Sequence, residues 1–166
     1  MKALEEVWRS LRVGGHDARE LLRVITTLEQ DELWAEAVAL HREFMEWFER
    51  QRAGLPPAQQ AKHGFKVVRR THGVTLRWVR FEFYGGSGKP RCIHRSVARG
   101  STPKYALARF GGASPLEREM ITSIEDRAGP LREWSDQLVA LGKVVGRYRA
   151  GGREETGAHG VTDDDR

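Results

Sequence analysis

Residues 65–84 read FKVVRRTHGVTLRWVRFEFY, and the way this stretch folds decides the architecture of the chain. Phe65 to Arg70 is rich in β-branched and aromatic side chains, Thr71-His72-Gly73 is a tight turn, and Val74 to Tyr84 is a second strand. The second strand breaks strict alternation: Val74, Leu76 and Trp78 share one parity, while Val79, Phe81 and Phe83 share the other. A β-bulge near Trp78–Val79 would turn all six apolar side chains inward and leave Thr75, Arg77, Arg80 and Glu82 outward. Gly85-Gly86-Ser87-Gly88 is a flexible connection to a third strand over Arg91 to Ala98. After a turn at Arg99 to Pro103, Lys104 to Phe110 is a candidate short fourth strand. Short consecutive strands joined by tight turns imply an antiparallel meander.

Outward from the strands the period becomes helical. On the N-terminal side, residues 3–12 form a short amphipathic segment with Leu4, Val7, Trp8 and Leu11 on one face, broken at Val13-Gly14-Gly15. Asp17 and Glu20 have capping-box spacing, and Leu21, Leu22, Ile25 and Leu28 continue a stripe. From Leu33 the stripe runs through Ala37, Leu40, Phe44 and Trp47, widened by Trp34, Val38, Met45 and Phe48, which marks a central packing helix. Pro56 and Pro57 end it. On the C-terminal side, Ser114-Pro115-Leu116-Glu117 is a helix start with a Ser cap, proline at the first helical position and Glu117 completing the capping box. Gly129-Pro130 is expected to kink or divide that helix. Leu131, Trp134, Leu138, Leu141, Val145 and Tyr148 then follow three-four spacing, a seam for helix packing or a homodimer. The expected fold is α+β: a small antiparallel sheet of three to four strands (about 65–110) packed against long N-terminal and C-terminal helices. The expected organisation is a helical extension over 1–28, one domain over 29–149, and a disordered tail over 150–166 whose composition lacks apolar periodicity.

The charge is unevenly placed. The chain of 166 residues has a net charge of +5, but Lys62 to Arg109 holds twelve Lys and Arg against one acid, Glu82. That segment is +11 and the remainder −6. Unbalanced positive charges repel one another, a cost usually retained for an anionic partner. The DNA-binding set expected from this segment is Lys66, Arg69, Arg70, Arg77, Arg80, Lys89, Arg91, Arg95, Arg99 and Lys104, drawn from neighbouring strands and their turns. Arginine dominates it, and its planar fork suits phosphate and guanine edges. A two-stranded ribbon fits the major groove of duplex DNA. Contact with about six phosphates would give a log–log salt slope near −5.

Other chemistries lack their residues. Gly85 to Lys89 is no phosphate loop, because Lys89 is followed by Pro90 and a strand rather than by Ser or Thr opening a helix. Cys92 and His94 share a strand face but have no further ligands at metal-binding spacing, so neither a metal nor a cofactor is expected. Metal-dependent nucleases cluster acids, and the strands carry Glu82 alone; no His-x-His pair occurs. No catalytic residue is therefore assigned and no enzymatic activity is expected. No run approaches the roughly 18 apolar residues of a membrane span, and the acid-bearing start MKALEEVWRSLR is no secretory signal, so the cytoplasm is the expected compartment. Two other readings stand beside duplex DNA: an adaptor that binds protein through its helical heptads, and an RNA-binding protein. The shortage of exposed sheet aromatics argues against the stacking platforms of single-strand binders.

The order of features also carries a resemblance. An aromatic helix (WAEAVALHREFMEWFER) leads to a basic strand (GFKVVRR), a Trp-bearing strand (VTLRWVRFEFY), a Gly-rich turn with Lys, then RCIHRSVARGSTPKYAL and the helix SPLEREMITSIEDRAGPLREW. Over about residues 30 to 149 this resembles the MobI-type auxiliary mobilisation proteins of integrative conjugative elements and conjugative plasmids. The resemblance implies a cytoplasmic DNA-processing accessory that recognises an origin of transfer and helps a relaxase start DNA transfer. That family pattern has no catalytic residues to carry over.

Overall fold

The computed structural model describes residues 15–56, 60–84 and 91–151. In chain order the elements are helix α1 (Gly15–Arg52), strands β1 (His63–Arg70), β2 (Gly73–Tyr84) and β3 (Arg91–Ser96), a 3-10 turn (Leu107–Arg109) and helix α2 (Pro115–Gly151). The fold is the expected α+β arrangement, with two long helices packed on a three-stranded antiparallel sheet of order β1-β2-β3. The segment offered as a fourth strand, Lys104 to Phe110, is instead loop and 3-10 turn: Arg109 N and Phe110 N bond back to Ala106 O and Leu107 O, and side chains of α2 hold the loop at its start. Tyr105 N donates to Glu125 Oε2 at 2.7 Å, and Arg132 Nη1 donates to Pro103 O at 2.8 Å.

The pairing runs one residue for one. Register extends from His63↔Arg80 to Arg70↔Gly73, and from Val79↔Ser96 to Tyr84↔Arg91. The expected bulge at Trp78–Val79 is therefore absent, and those two residues lie on opposite faces. Apolar side chains of both parities find cover because α1 reaches both. Phe44 meets Trp78 edge-on at 5.3 Å, and Phe48 lies 5.6 Å from Phe81. Phe81 leans across Gly64, where a Cβ would come within 2.6 Å of its ring. A helix touching both faces must run along the sheet edge, and α1 does so beside β1. Gln30 Nε2 donates to Arg70 O at 2.6 Å, and the His41 ring sits 6.4 Å from that of Phe65.

Strand β2 outruns its neighbours, pairing with β1 through Gly73–Arg80 and with β3 only from Val79 onward. The edge left bare at Val74 and Leu76 is closed by α2. Ser135 Oγ accepts from Val74 N at 2.9 Å and donates to Val74 O at 2.8 Å, and Arg132 Nε donates to Leu76 O at 3.0 Å. Buried backbone groups are thus satisfied by side chains where no third strand reaches.

The core lies between helices and sheet: Leu33, Ala37, Leu40 and Phe44 of α1, Phe65 and Trp78, Phe110, and Ile121 and Ile124 of α2 are all essentially inaccessible. Helix α1 starts at Gly15, two residues before the expected Asp17 cap, passes residue 28 unbroken and stops at Arg52; Gly54 follows at φ 77°, the left-handed conformation that favours glycine. Residues 3–12 and 152–166 lie outside the described residues. Helix α2 is not divided at Gly129-Pro130. Ala128 and Leu131, on either side, are buried in the same core, and that shared packing outweighs the helix-breaking cost of proline, about 3 kcal/mol. Of the three-four seam, Leu131 and Leu138 are buried within the chain, and Trp134 Nε1 donates to Glu29 at 3.1 Å. Those positions hold α2 on α1. The side chains of Val145 and Tyr148 lie outside the described residues.

The cap of α2 is half as expected. Ser114 Oγ accepts from Glu117 N at 3.2 Å, but the Glu117 carboxylate turns away from the cap. Its Oε1 accepts from Lys62 N and His63 N, each at 2.8 Å, and lies 3.0 Å from His63 Nδ1, tying the helix start to β1. Burial by itself raises the Glu117 pKa, but the bonds and charge of His63 and the Lys62 N–H outweigh it and hold the carboxyl below its ordinary value. A depressed folded value contributes stability that is whole above the unfolded carboxylate pKa, about 4.3, and is lost as pH falls through the folded one. Glu117→Gln should flatten the fall of Tm below about pH 5, measured by thermal denaturation. An unchanged acid limb would assign that loss to other groups.

Candidate nucleic-acid interface

The continuous register sorts the basic residues by face. With Phe65 and Trp78 turned to the helices, Lys66, Arg70 and Arg77 project from the other, open face, together with Thr75 of β2 and Cys92, His94 and Ser96 of β3. Arg69, Arg80 and Arg95 belong to the helix-side parity. The expectation that Arg77 and Arg80 point the same way therefore fails, since it depended on the bulge.

The helix-side cations are placed differently from one another. Arg69 forms an ion pair with Asp31 of α1 and lies 6.0 Å over the Trp34 ring. Arg80 and Arg95 are directly opposite across β2 and β3 and both exposed, with Arg95 Nε 2.6 Å from Glu82 Oε2. Lys104 Nζ bonds Asp126 Oδ1 at 2.8 Å, and Arg99 is half-buried in the loop after β3. Arg91 occupies β3 opposite Tyr84, and Lys89 lies outside the described residues.

The open face concentrates unneutralised charge. Lys66 and Arg77 are direct cross-strand partners, an arrangement that destabilises a sheet by like-charge repulsion. Lys66 Nζ donates to His94 Nδ1 at 2.8 Å, spanning β2, so that Nδ1 is the acceptor and Nε2 carries the ring proton. His94 rests edge-on against Phe81 at 5.0 Å. Arg70 Nε reaches Thr75 Oγ1 at 3.4 Å. Arg77 Nε is buried without a hydrogen-bond partner among the described residues. No described carboxylate pairs with Lys66, Arg70 or Arg77, and Glu82, the one acid in the strands, belongs to the opposite face. The arrangement offers three cations and an imidazole N–H on a shallow surface. That is a set of donors for anionic oxygens.

His94 and Thr75 are the members of this face that charge counting missed. The shared parity of Cys92 and His94 was visible; that His94 meets Lys66 across β2 depends on a register no local signal specifies. Among the described residues no group of three or more His, Cys, Asp or Glu side chains could hold a metal ion, and no described helix is long and apolar enough to cross a membrane.

A family model described as "MobI protein" matches residues 33–145, a span that holds the whole sheet, most of α1 and nearly all of α2. No curated protein and no solved structure matches the chain.

Proposed function

The chain belongs to the MobI family of conjugative mobilisation accessory proteins, and from that premise we propose that it binds double-stranded DNA at an origin of transfer and assists a relaxase, without catalysis of its own. The observation that carries the reading is the opposition of Lys66 and Arg77 on an acid-free sheet face. Such a pair costs stability in the free protein and is relieved when phosphates lie across it. The hairpin of β1 and β2 presents Arg70 beside its turn, on the same face as Lys66 and Arg77. Duplex DNA suits the face better than single-stranded RNA. Phe81, the Phe of this face whose side chain is among the described residues, is half-buried against Phe48 and His94 and offers no free ring for stacking. The setting for this work is the cytoplasm.

Footprinting of the purified protein on the transfer origin of its own mobile element tests the reading. One discrete protected segment is expected; protection no better than on unrelated duplex would reject origin recognition.

The relaxase contact has a second surface available. Leu21, Val24 and Leu28 are spaced i, i+3, i+7 along α1 and are exposed by 37%, 44% and 63%. An adaptor role rests on that stripe. It predicts relaxase capture that survives nuclease treatment and is lost in Val24→Asp/Leu28→Asp, but is kept in Lys66→Gln/Arg77→Gln.

A further inference from the structure

We infer that β3 is a pairing edge for a second copy of this chain, joining two sheets into one of six strands about a two-fold axis at His94. The first half of β2 is closed by Ser135 and Arg132 of α2, and β1 is flanked by α1 and tied at its ends by Glu117 to His63 N and by Gln30 to Arg70 O. Strand β3 has no such cover among the described residues: Cys92 to Ser96 are all exposed, Ile93 by 47%. Long uncovered edges invite strand addition. Val97 N donates to Trp78 O at 3.0 Å, so the odd-numbered residues of this strand direct their backbone groups to β2. Cys92, His94 and Ser96 direct theirs outward.

For a second copy of this strand, the side chains favour the register centred on His94 over its neighbours. Pairing two copies antiparallel about His94 sets His94 against His94, Cys92 against Ser96, and Ile93 against Arg95, so every outward backbone group finds a partner. No like charges meet, and Arg95 is already balanced by Glu82. Moving the axis one residue back sets Arg91 against Arg95; moving it one residue forward sets Arg95 against Arg95. Both alternatives are penalised by like-charge opposition. A strand edge buries less than the roughly 1,200 Å² of a standard interface, so pairing is weak and concentration-dependent. Its consequence, which alone rests on the DNA-binding reading, is a two-fold basic face with a Lys66–Arg77–His94 cluster in each half.

Disulfide trapping without DNA tests the pairing independently of DNA binding. Ser96→Cys would lie opposite Cys92 of the second copy at a Cα separation of about 5.5 Å, within disulfide range. Two Cys92 side chains would be about 13 Å apart along the strands. Under mild oxidation at about 100 μM protein, Ser96→Cys should form covalent dimer at least ten-fold faster than wild type or the exposed control Ser123→Cys. Adding Ile93→Lys, which faces Arg95 of the other copy, should slow trapping about ten-fold. His94→Pro should abolish it, since residue 94 donates no bond to β2. Equal trapping in Ser96→Cys and Ser123→Cys, or trapping indifferent to Ile93→Lys, would overturn the inference.

Discussion

Glu125→Ala should remove most of the stability of this fold. The Glu125 carboxylate, 4% exposed, collects four hydrogen bonds at the junction of sheet, loop and helix. Trp78 Nε1 donates at 2.6 Å, Tyr105 N at 2.7 Å, and Arg132 through Nη1 at 2.9 Å and Nη2 at 2.7 Å. Arg132 is 2% exposed and lies 4.8 Å over the Tyr105 ring. Removing the carboxylate strands a buried guanidinium, which costs about 3–5 kcal/mol, and leaves two buried N–H groups unpaired. Against a total of roughly 5–15 kcal/mol for a domain, little stability remains. Urea denaturation checks this, and the double substitution Glu125→Leu/Arg132→Leu sharpens it. With both charges gone the double variant should be more stable than Glu125→Ala, because apolar replacement of a buried pair is often nearly neutral. A single-variant loss below about 1 kcal/mol would mean the network is not the keystone of the fold.

The second large effect is on binding, with stability moving the opposite way. Lys66→Gln/Arg77→Gln removes a like-charge pair from directly opposed strand positions, so the free protein should gain about 0.2–1 kcal/mol. The same change removes two phosphate contacts. At about 0.1 M salt each is worth roughly ten-fold in affinity, so duplex DNA should bind about 100-fold more weakly. Arg118→Gln, on the exposed surface of α2, should change affinity less than about two-fold. Opposed signs in stability and binding separate a surface kept for a ligand from one kept for the fold. Fluorescence anisotropy and thermal melts on the same three proteins supply the comparison.

How much of this was legible in the sequence follows from what each signal measures. The stripe Leu33, Ala37, Leu40, Phe44, Trp47 needs only the helical period, and all five residues are buried. The two strands around Thr71-His72-Gly73 were equally plain, because β-branched residues flanking a short turn leave few alternatives. The faces of β2 were not legible. Six apolar residues of mixed parity imply a bulge if the sheet has one buried side, and nothing local shows that α1 runs along the edge and covers both. That error moved Arg80 to the wrong face and dissolved the single arginine patch expected from charge density. Glu117 failed as a capping-box residue for a related reason: a carboxylate three residues past a Ser cap satisfies the local rule, but β1 supplies two N–H groups and an imidazole that it prefers. Pro130 reads as a helix break until the packing of Ala128 and Leu131 is known. Local chemistry specified the elements; the edges of the sheet decided which side chains became available for binding.

In the proposed function the open sheet face, through Lys66 and Arg77, grips duplex DNA by its phosphates. The most direct test is the salt dependence of binding to a transfer-origin duplex, with wild type and Lys66→Gln/Arg77→Gln titrated in parallel. A plot of log Kobs against log salt should be steep for wild type, near −5 for about six phosphates, and shallower by about 2 in the variant. A wild-type slope near zero, or equal slopes for the two proteins, would mean that Lys66 and Arg77 do not hold DNA phosphates.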